Sequence, residues 1–335
     1  MLNIGVIGCG AIGRDHIRRL TDIVPGCQVV ACADYFEEAA IKVAAQYEGM
    51  KAYKTGEELS AAPEVQAVVI TSSDPSHAGY VLEALKAGKY VFCEKPLAQN
   101  AEDCEKIIAA ETAHGKRLLQ VGFMRHYDRG YAEMKRIIDS GELGAPLMIH
   151  ACHRNVSQPD GFQTEMGVSN VAIHELDICR WLLGDEQKNG QVLKVRQSAC
   201  STKGYDNPQI VLLETQSGAR IDVEVQVADA YGYDIQCQVV CEKGTVNLPD
   251  PYAVVKRSNA TRSFPILTDW KDRFIEAYDI ELTHWVKTLE EKGEPDGPSA
   301  WDGYAACVAA DTLNRSRGTN QFLPIEMRDK PALYK

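Results

Sequence analysis

Asn3-Ile4-Gly5-Val6-Ile7-Gly8-Cys9-Gly10-Ala11-Ile12-Gly13 is the stretch that decides the fold. A short apolar run leads directly into G-x-G-x-x-G, and the residues from Ala11 to Leu20 then follow helical spacing. In such a strand–turn–helix the first glycine permits a tight turn. The second lets backbone approach a pyrophosphate, and the third lets helix and strand pack closely. The helix start offers unpaired N–H groups to phosphate oxygens. Gly8, Gly10 and Gly13, with Ala11 and Ile12 between them, are therefore candidate cofactor residues. The motif alone is weak in a chain with 26 glycines, but Asp34 strengthens it. Asp34 closes the next apolar run 21 residues after Gly13, where a carboxylate hydrogen-bonds the adenosine ribose and repels the additional phosphate of NADP. The expected cofactor is NAD.

The same rhythm continues to residue 122. The sequence predicts strands at Asn3–Ile7, Gln28–Ala33, Ala67–Thr71, Tyr90–Cys93 and Leu118–Gly122, with helices near Ala11–Leu20, Glu37–Tyr47, His77–Ala87 and Ala101–His114. Continuous apolar strands separated by helices imply an α/β domain, a doubly wound parallel sheet of Rossmann type covered on both faces. Beyond Arg125 the pattern changes. Helices are predicted at about Gly130–Ser140 and Val171–Leu183, and a strand running into His150–His153. Strands follow at Val192–Cys200, Gln209–Thr215, Ala219–Val227, Asp234–Cys241 and Thr245–Leu248, then long helices at Arg273–Glu291 and Ala300–Ser316. Strands adjoining strands imply a C-terminal α+β domain with a largely antiparallel sheet. The expected division is an NAD-binding domain, 1–122, and a substrate-binding and oligomerisation domain, 123–335.

Composition narrows the function classes. The 335 residues suit two domains. Thirty-six Lys and Arg against 47 Asp and Glu give a net charge of −11 with no basic run, which argues against nucleic acid as a partner. No apolar stretch reaches the roughly 18 residues of a membrane span. The start of the chain lacks the charged and small-residue pattern of a secretory signal, so a cytoplasmic protein is expected. The 11 cysteines form no C-x-x-C pair. The close pairs Cys27/Cys32 and Cys237/Cys241 lack a second Cys/His pair at zinc spacing, so no metal is expected and the thiols read as small buried hydrophobes.

Two segments carry residues suited to chemistry. Thr71-Ser72-Ser73-Asp74-Pro75-Ser76-His77 lies at the carboxyl end of a predicted strand, where ligands bind in such sheets, although Ser, Asp and Pro are also ordinary turn formers. Ser72, Ser73 and His77 are placed on the cofactor side. Phe92-Cys93-Glu94-Lys95-Pro96 ends the next strand; its proline holds Lys95 extended, and the Lys95–Pro96 bond is a candidate for cis. Glu94 and Lys95 join the cofactor side, and Lys95 is also a candidate catalytic residue. In the second half, Asn170 and His174 are four apart, so an α-helix would place them on one face. Histidine suits proton transfer near neutrality, while the plainer reading is a histidine hydrogen-bonded within the fold.

These motifs together resemble the Gfo/Idh/MocA oxidoreductase family over nearly the whole chain. The likeness runs through Gly8–His16, Glu94-Lys95-Pro96, Gly122-Phe123-Met124-Arg125, His153-Arg154-Asn155 and Ile173-His174-Glu175-Leu176-Asp177. It continues in Tyr231–Cys237, Asp269-Trp270, Ala277-Tyr278-Asp279 and Gly297–Tyr304. The resemblance implies NAD-dependent oxidation of myo-inositol to 2-keto-myo-inositol by hydride transfer, with His174 as general base and Lys95 assisting. It implies a polyol pocket lined by Arg125, His153, Asn155, Tyr233, Trp270 and Tyr278, and a homotetramer. Such a pocket makes chemical sense, because every hydroxyl of a desolvated cyclitol needs a partner. The chain departs from the family at Asn170, where an Asp usually orients the imidazole. Asn carries no charge, which leaves open a dehydrogenase for another inositol isomer or a pyranose, or a catalytically impaired NAD-binding homologue.

Overall fold

The computed structural model describes residues 1–201, 204–251 and 254–335. The chain forms two compact units: Met1–Met124 with Tyr278–Cys307 and Met327–Lys335, and Arg125–Ala277 with Val308–Glu326.

The first unit contains β1 (Leu2–Ile7), β2 (Cys27–Ala33), β3 (Lys51–Tyr53), β4 (Ala67–Ile70), β5 (Tyr90–Glu94) and β6 (Leu119–Gly122). They form one parallel sheet in the order β3-β2-β1-β4-β5-β6. Around it lie α1 (Ala11–Asp22), α2 (Glu37–Ala44), α3 (Gly56–Ala61), α4 (His77–Lys86) and α5 (Ala101–Ala113). The order reverses between β1 and β4, which opens a crevice at their carboxyl ends. β4 is buried along its whole length, as a central strand covered on both faces must be. The sequence reading did not include β3 or α3. β3 is a three-residue edge strand with Lys51 and Ala52 exposed, so no apolar run announces it.

The second unit contains α6 (Arg129–Ser140), β7 (Pro146–Arg154), α7 (Ile173–Leu183) and β8 (Gln187–Lys194). Further strands are β9 (Gln209–Thr215), β10 (Arg220–Gln226), β11 (Asp234–Cys241), β12 (Gly244–Asn247) and β15 (Leu323–Pro324). The seven strands run β12-β11-β7-β10-β9-β8-β15; β7 and β10 are parallel and the other pairs antiparallel. β13 (Lys256–Ser258) and β14 (Thr261–Ser263) make a separate exposed hairpin. Alternation in β9, buried at Gln209, Val211, Leu213 and Thr215, shows one face of the sheet turned inward.

Two expectations need correction. β8 begins at Gln187 and ends at Lys194, whereas the apolar pattern suggested Val192–Cys200. Its polar first half is held by tertiary contacts: Gln187 is buried and its amide donates to the Leu176 carbonyl at 2.8 Å. The single boundary at residue 122 is also too simple. α8 (Trp270–Lys292) and α9 (Ala300–Ser316) each begin in one unit and end in the other. Leu282, Trp285, Val286 and Leu289 of α8 join Ile4, Val6, Ile17, Leu20 and Phe92 in the first unit's core, with Trp285 edge-on to Phe92 at 5.5 Å. Apolar burial of this size fixes where a helix belongs, regardless of its place in the chain.

Candidate active site

In the first unit the glycine turn sits at the sheet's switch point. Gly8 has φ of +103°, and a Cβ there would meet the Ser72 backbone nitrogen at 2.5 Å. A Cβ at Gly13 would lie 1.9 Å from the Gly8 oxygen. Around Gly10, by contrast, a Cβ would meet nothing within 4 Å, so the turn is closed on two sides and open on one. α1 begins at Ala11 with no side-chain cap and no acidic residue in its first turn, which leaves its N–H groups directed at that open side. Asp34 follows β2, and its carboxylate accepts from the Cys9 N–H at 2.6 Å and the Phe36 N–H at 2.9 Å. This ties the end of β2 to the glycine turn.

The ends of β4 and β5 are bound together by His77. The ring is buried, with Nδ1 2.7 Å from the Pro96 carbonyl oxygen and Nε2 3.0 Å from that of Ser72. Ser72 also accepts from the Ser76 hydroxyl at 2.7 Å, while Ser73 is exposed. Lys95 is half-buried and the Lys95–Pro96 peptide is cis. Glu94 turns inward, its Oε1 2.8 Å from Nε2 of the buried His16, whose ring packs near Phe92 and Tyr278. The pair joins residues 78 apart in the chain, and no local pattern announces it.

The second unit gathers a buried polar cluster. Arg125 Nη1 donates to Glu175 Oε1. His153 Nδ1 lies 2.9 Å from Glu175 Oε2 and 3.2 Å from Arg125 Nη2. Arg125, Glu175 and His153 are 1%, 1% and 3% exposed. Burial by itself would push the Glu175 carboxyl up, but the Arg125 guanidinium and the His153 ring hold it at about 2. The same burial pushes the Tyr233 hydroxyl up to about 12, against the opposing Arg125 charge. Tyr233 stands edge-on to His153 at 5.9 Å, and His174 lies 6.0 Å from His153, ring centre to ring centre. Asn155 is half-buried just beyond β7; its backbone donates to Gln226 and accepts from Asp229, both at 2.8 Å.

Several expected residues thus come together within one unit, and others take different settings. Arg125, His153, Tyr233 and His174 share the cluster, which Glu175 anchors; the sequence reading gave Glu175 no role although it follows His174 directly. Trp270 opens α8, half-buried, with Lys271 Nζ 5.6 Å from its ring centre. Tyr278 belongs to the first unit, where His16 and Arg19 pack on its ring. Asn170 and His174 do not belong to one α-helix as their spacing suggested. Gly167–Ala172 form a π-helix, and His174 is the second residue of α7 beyond it. A π turn closes its hydrogen bond at i+5 rather than i+4, and such turns often mark functional sites. Cys200 is exposed and the remaining cysteines are buried free thiols.

A parallel sheet of this order, with a glycine turn at the reversal and an acidic residue ending the second strand, defines a dinucleotide-binding protein of Rossmann type. Residues 2–123 match the oxidoreductase family, NAD-binding Rossmann fold (GFO_IDH_MocA), and residues 135–327 match its C-terminal alpha/beta domain. The chain belongs to this oxidoreductase family. It is 52% identical to the inositol 2-dehydrogenase of Burkholderia cenocepacia (strain HI2424) over 336 residues, covering 100% of this chain and 99% of that protein. The inositol 2-dehydrogenase of Ralstonia nicotianae gives the same identity and coverage. Among solved structures, myo-inositol dehydrogenase from Lactobacillus casei in complex with NAD(H) and myo-inositol matches with a TM-score of 0.96 at 37% identity, covering 100% of both chains. The residues present fit the dinucleotide: the turn is open over Gly10, where the uncapped start of α1 would offer N–H donors to a phosphate and Asp34, tied to the turn, would accept from a ribose.

Proposed function

We propose that the chain oxidises myo-inositol to 2-keto-myo-inositol. The observation that carries this reading is a full-length likeness to inositol dehydrogenases in a chain that keeps both Lys95 and His174. Bound NAD supplies the hydride acceptor. His174 takes the proton of the reacting hydroxyl as the C–H bond gives up its hydride, leaving a ketone. Lys95, as a cation, stabilises the negative charge that develops on the oxygen. Asn170 orients His174 by hydrogen bonding, without the charge of an aspartate. His153, Asn155, Tyr233 and Trp270 partner the ring hydroxyls and its C–H face. Gly8 to Gly13, Asp34, Ser72 and Ser73 hold the dinucleotide, while His77 and Glu94 steady the strand ends beneath it.

NADH formation with myo-, scyllo- and D-chiro-inositol and with glucose, each with NAD and with NADP, tests the reading. Turnover of myo-inositol with NAD is expected. Preference for another isomer or glucose would reassign the substrate. Silence throughout, with NAD still bound, would favour the impaired homologue that Asn170 suggests.

The proposed assembly is a homotetramer acting in the cytoplasm, where free thiols persist. Support comes from the second unit's sheet: Met148, Ile210, Leu212 and Val240 are only partly covered beside the exposed His150–Asp222 pair. Light scattering in solution tests the stoichiometry.

A further inference from the structure

The hydrogen-bonding capacities of Arg125, Glu175 and His153 do not permit all three contacts at once. A guanidinium only donates and an ionised carboxylate only accepts. His153 Nδ1, which lies near both, can carry a proton or a lone pair. If it carries the lone pair, the ring accepts from Arg125 Nη2 at 3.2 Å, but the lone pair then faces a carboxylate oxygen at 2.9 Å in a buried, low-dielectric site. If it carries the proton, the shorter contact becomes a charge-assisted hydrogen bond. One of the five N–H donors of Arg125 then goes without that partner, while Glu175 Oε1 still satisfies Nη1. The second arrangement is the better one.

We infer that Glu175 is a positioning residue that fixes His153 as the Nδ1–H tautomer, and that Arg125 acts through Glu175 rather than on the substrate. His153 Nε2 is then an acceptor, suited to a hydroxyl that donates. Arg125 is set back from that role: it is 1% exposed, bound to Glu175, and lies within 6 Å of the Tyr131 and Phe274 ring centres, at 5.9 and 5.6 Å. Carboxylate orientation of a functional histidine is a recurring device. Here one carboxylate sets the ring's tautomer while its other oxygen engages the buried Arg125 cation. The inference rests on the polyol-dehydrogenase reading for what the ring recognises, but the tautomer itself does not depend on substrate.

The test is nitrogen NMR of the histidine rings in the full-length protein labelled with ¹⁵N-histidine. The His153 signals are assigned by their loss in His153→Gln. The wild type is expected to show a protonated Nδ1 and a bare Nε2 at neutral pH. In Glu175→Gln the amide oxygen must face Arg125, which can only donate, so the amide NH₂ faces Nδ1 and forces the proton to Nε2. That variant should also raise KM for inositol about tenfold, one hydrogen bond's worth, with a smaller change in kcat. Glu175→Asp, which keeps a carboxylate acceptor, should retain the wild-type tautomer. A wild-type ring protonated on Nε2 alone, or on both nitrogens, would overturn the inference. So would an unchanged tautomer in Glu175→Gln. Should that variant not fold, the wild-type spectrum still decides. Failure of inositol turnover would count against the substrate reading and leave the ring measurement standing.

Discussion

Replacing Gly10 by alanine should separate cofactor affinity from stability. Gly10 has φ of −71° and ψ of −162°, which alanine adopts without strain, and its Cβ would meet nothing within 4 Å. The free protein should therefore be unharmed, and a less flexible unfolded chain would stabilise it by about 0.4–1 kcal/mol. A methyl group would nevertheless occupy the open side of the turn. Moving a phosphate off the α1 N–H groups loses charge-assisted hydrogen bonds of about 1.5–3 kcal/mol each. The dissociation constant of NAD should rise roughly 10- to 100-fold. Gly13→Ala is the control, because its Cβ would lie 1.9 Å from the Gly8 oxygen and the backbone must move. Overpacking of this kind costs about 1–3 kcal/mol, so Gly13→Ala should lower Tm by several degrees. Calorimetric titration with NAD and thermal unfolding of each variant make the comparison. If Gly10→Ala binds NAD like the wild type, or if it loses as much stability as Gly13→Ala, the argument that this glycine keeps room for the dinucleotide is refuted.

Three further outcomes follow from the site. If Asn170 orients His174 as proposed, Asn170→Asp should raise kcat at neutral pH by adding a charge to that contact, roughly tenfold if it gains one charge-assisted hydrogen bond; an unchanged or lower rate would remove Asn170 from that role. Asp34→Ser should narrow the preference for NAD over NADP by about 10-fold or more, read as the ratio of kcat/KM values, since repulsion of the ribose phosphate is removed. It should also cost some stability, because the Asp34 carboxylate binds two backbone N–H groups. Glu175 is held at about 2, below its usual 4.5. A carboxyl depressed in the folded state contributes stability that is complete above about pH 4.5 and is lost as pH falls toward 2, here about 3 kcal/mol in all. Urea unfolding at neutral pH and near pH 3 should show about 2 kcal/mol of that loss in the wild type and a flatter acid dependence in Glu175→Gln; equal acid slopes would contradict the shift.

The amino-acid sequence by itself determined the parallel sheet, the glycine turn and Asp34. Each depends on residues close in the chain: an apolar run, a turn that only glycine fits, and one strand–helix repeat to the next strand end. The lysine before Pro96 was legible for the same reason, as was most of the antiparallel strand pattern. Only the tertiary structure decided that Leu282, Trp285, Val286 and Leu289 complete the core of the first unit, because apolar helix faces look alike until the surface that buries them is known. It alone showed Asn170 in a π turn, since the four-residue spacing reads equally well as an α-helix. It also decided the partners of Glu175. That residue sits 50 positions from Arg125 and 22 from His153, and a carboxylate's partners are set by which groups are desolvated beside it rather than by spacing along the chain.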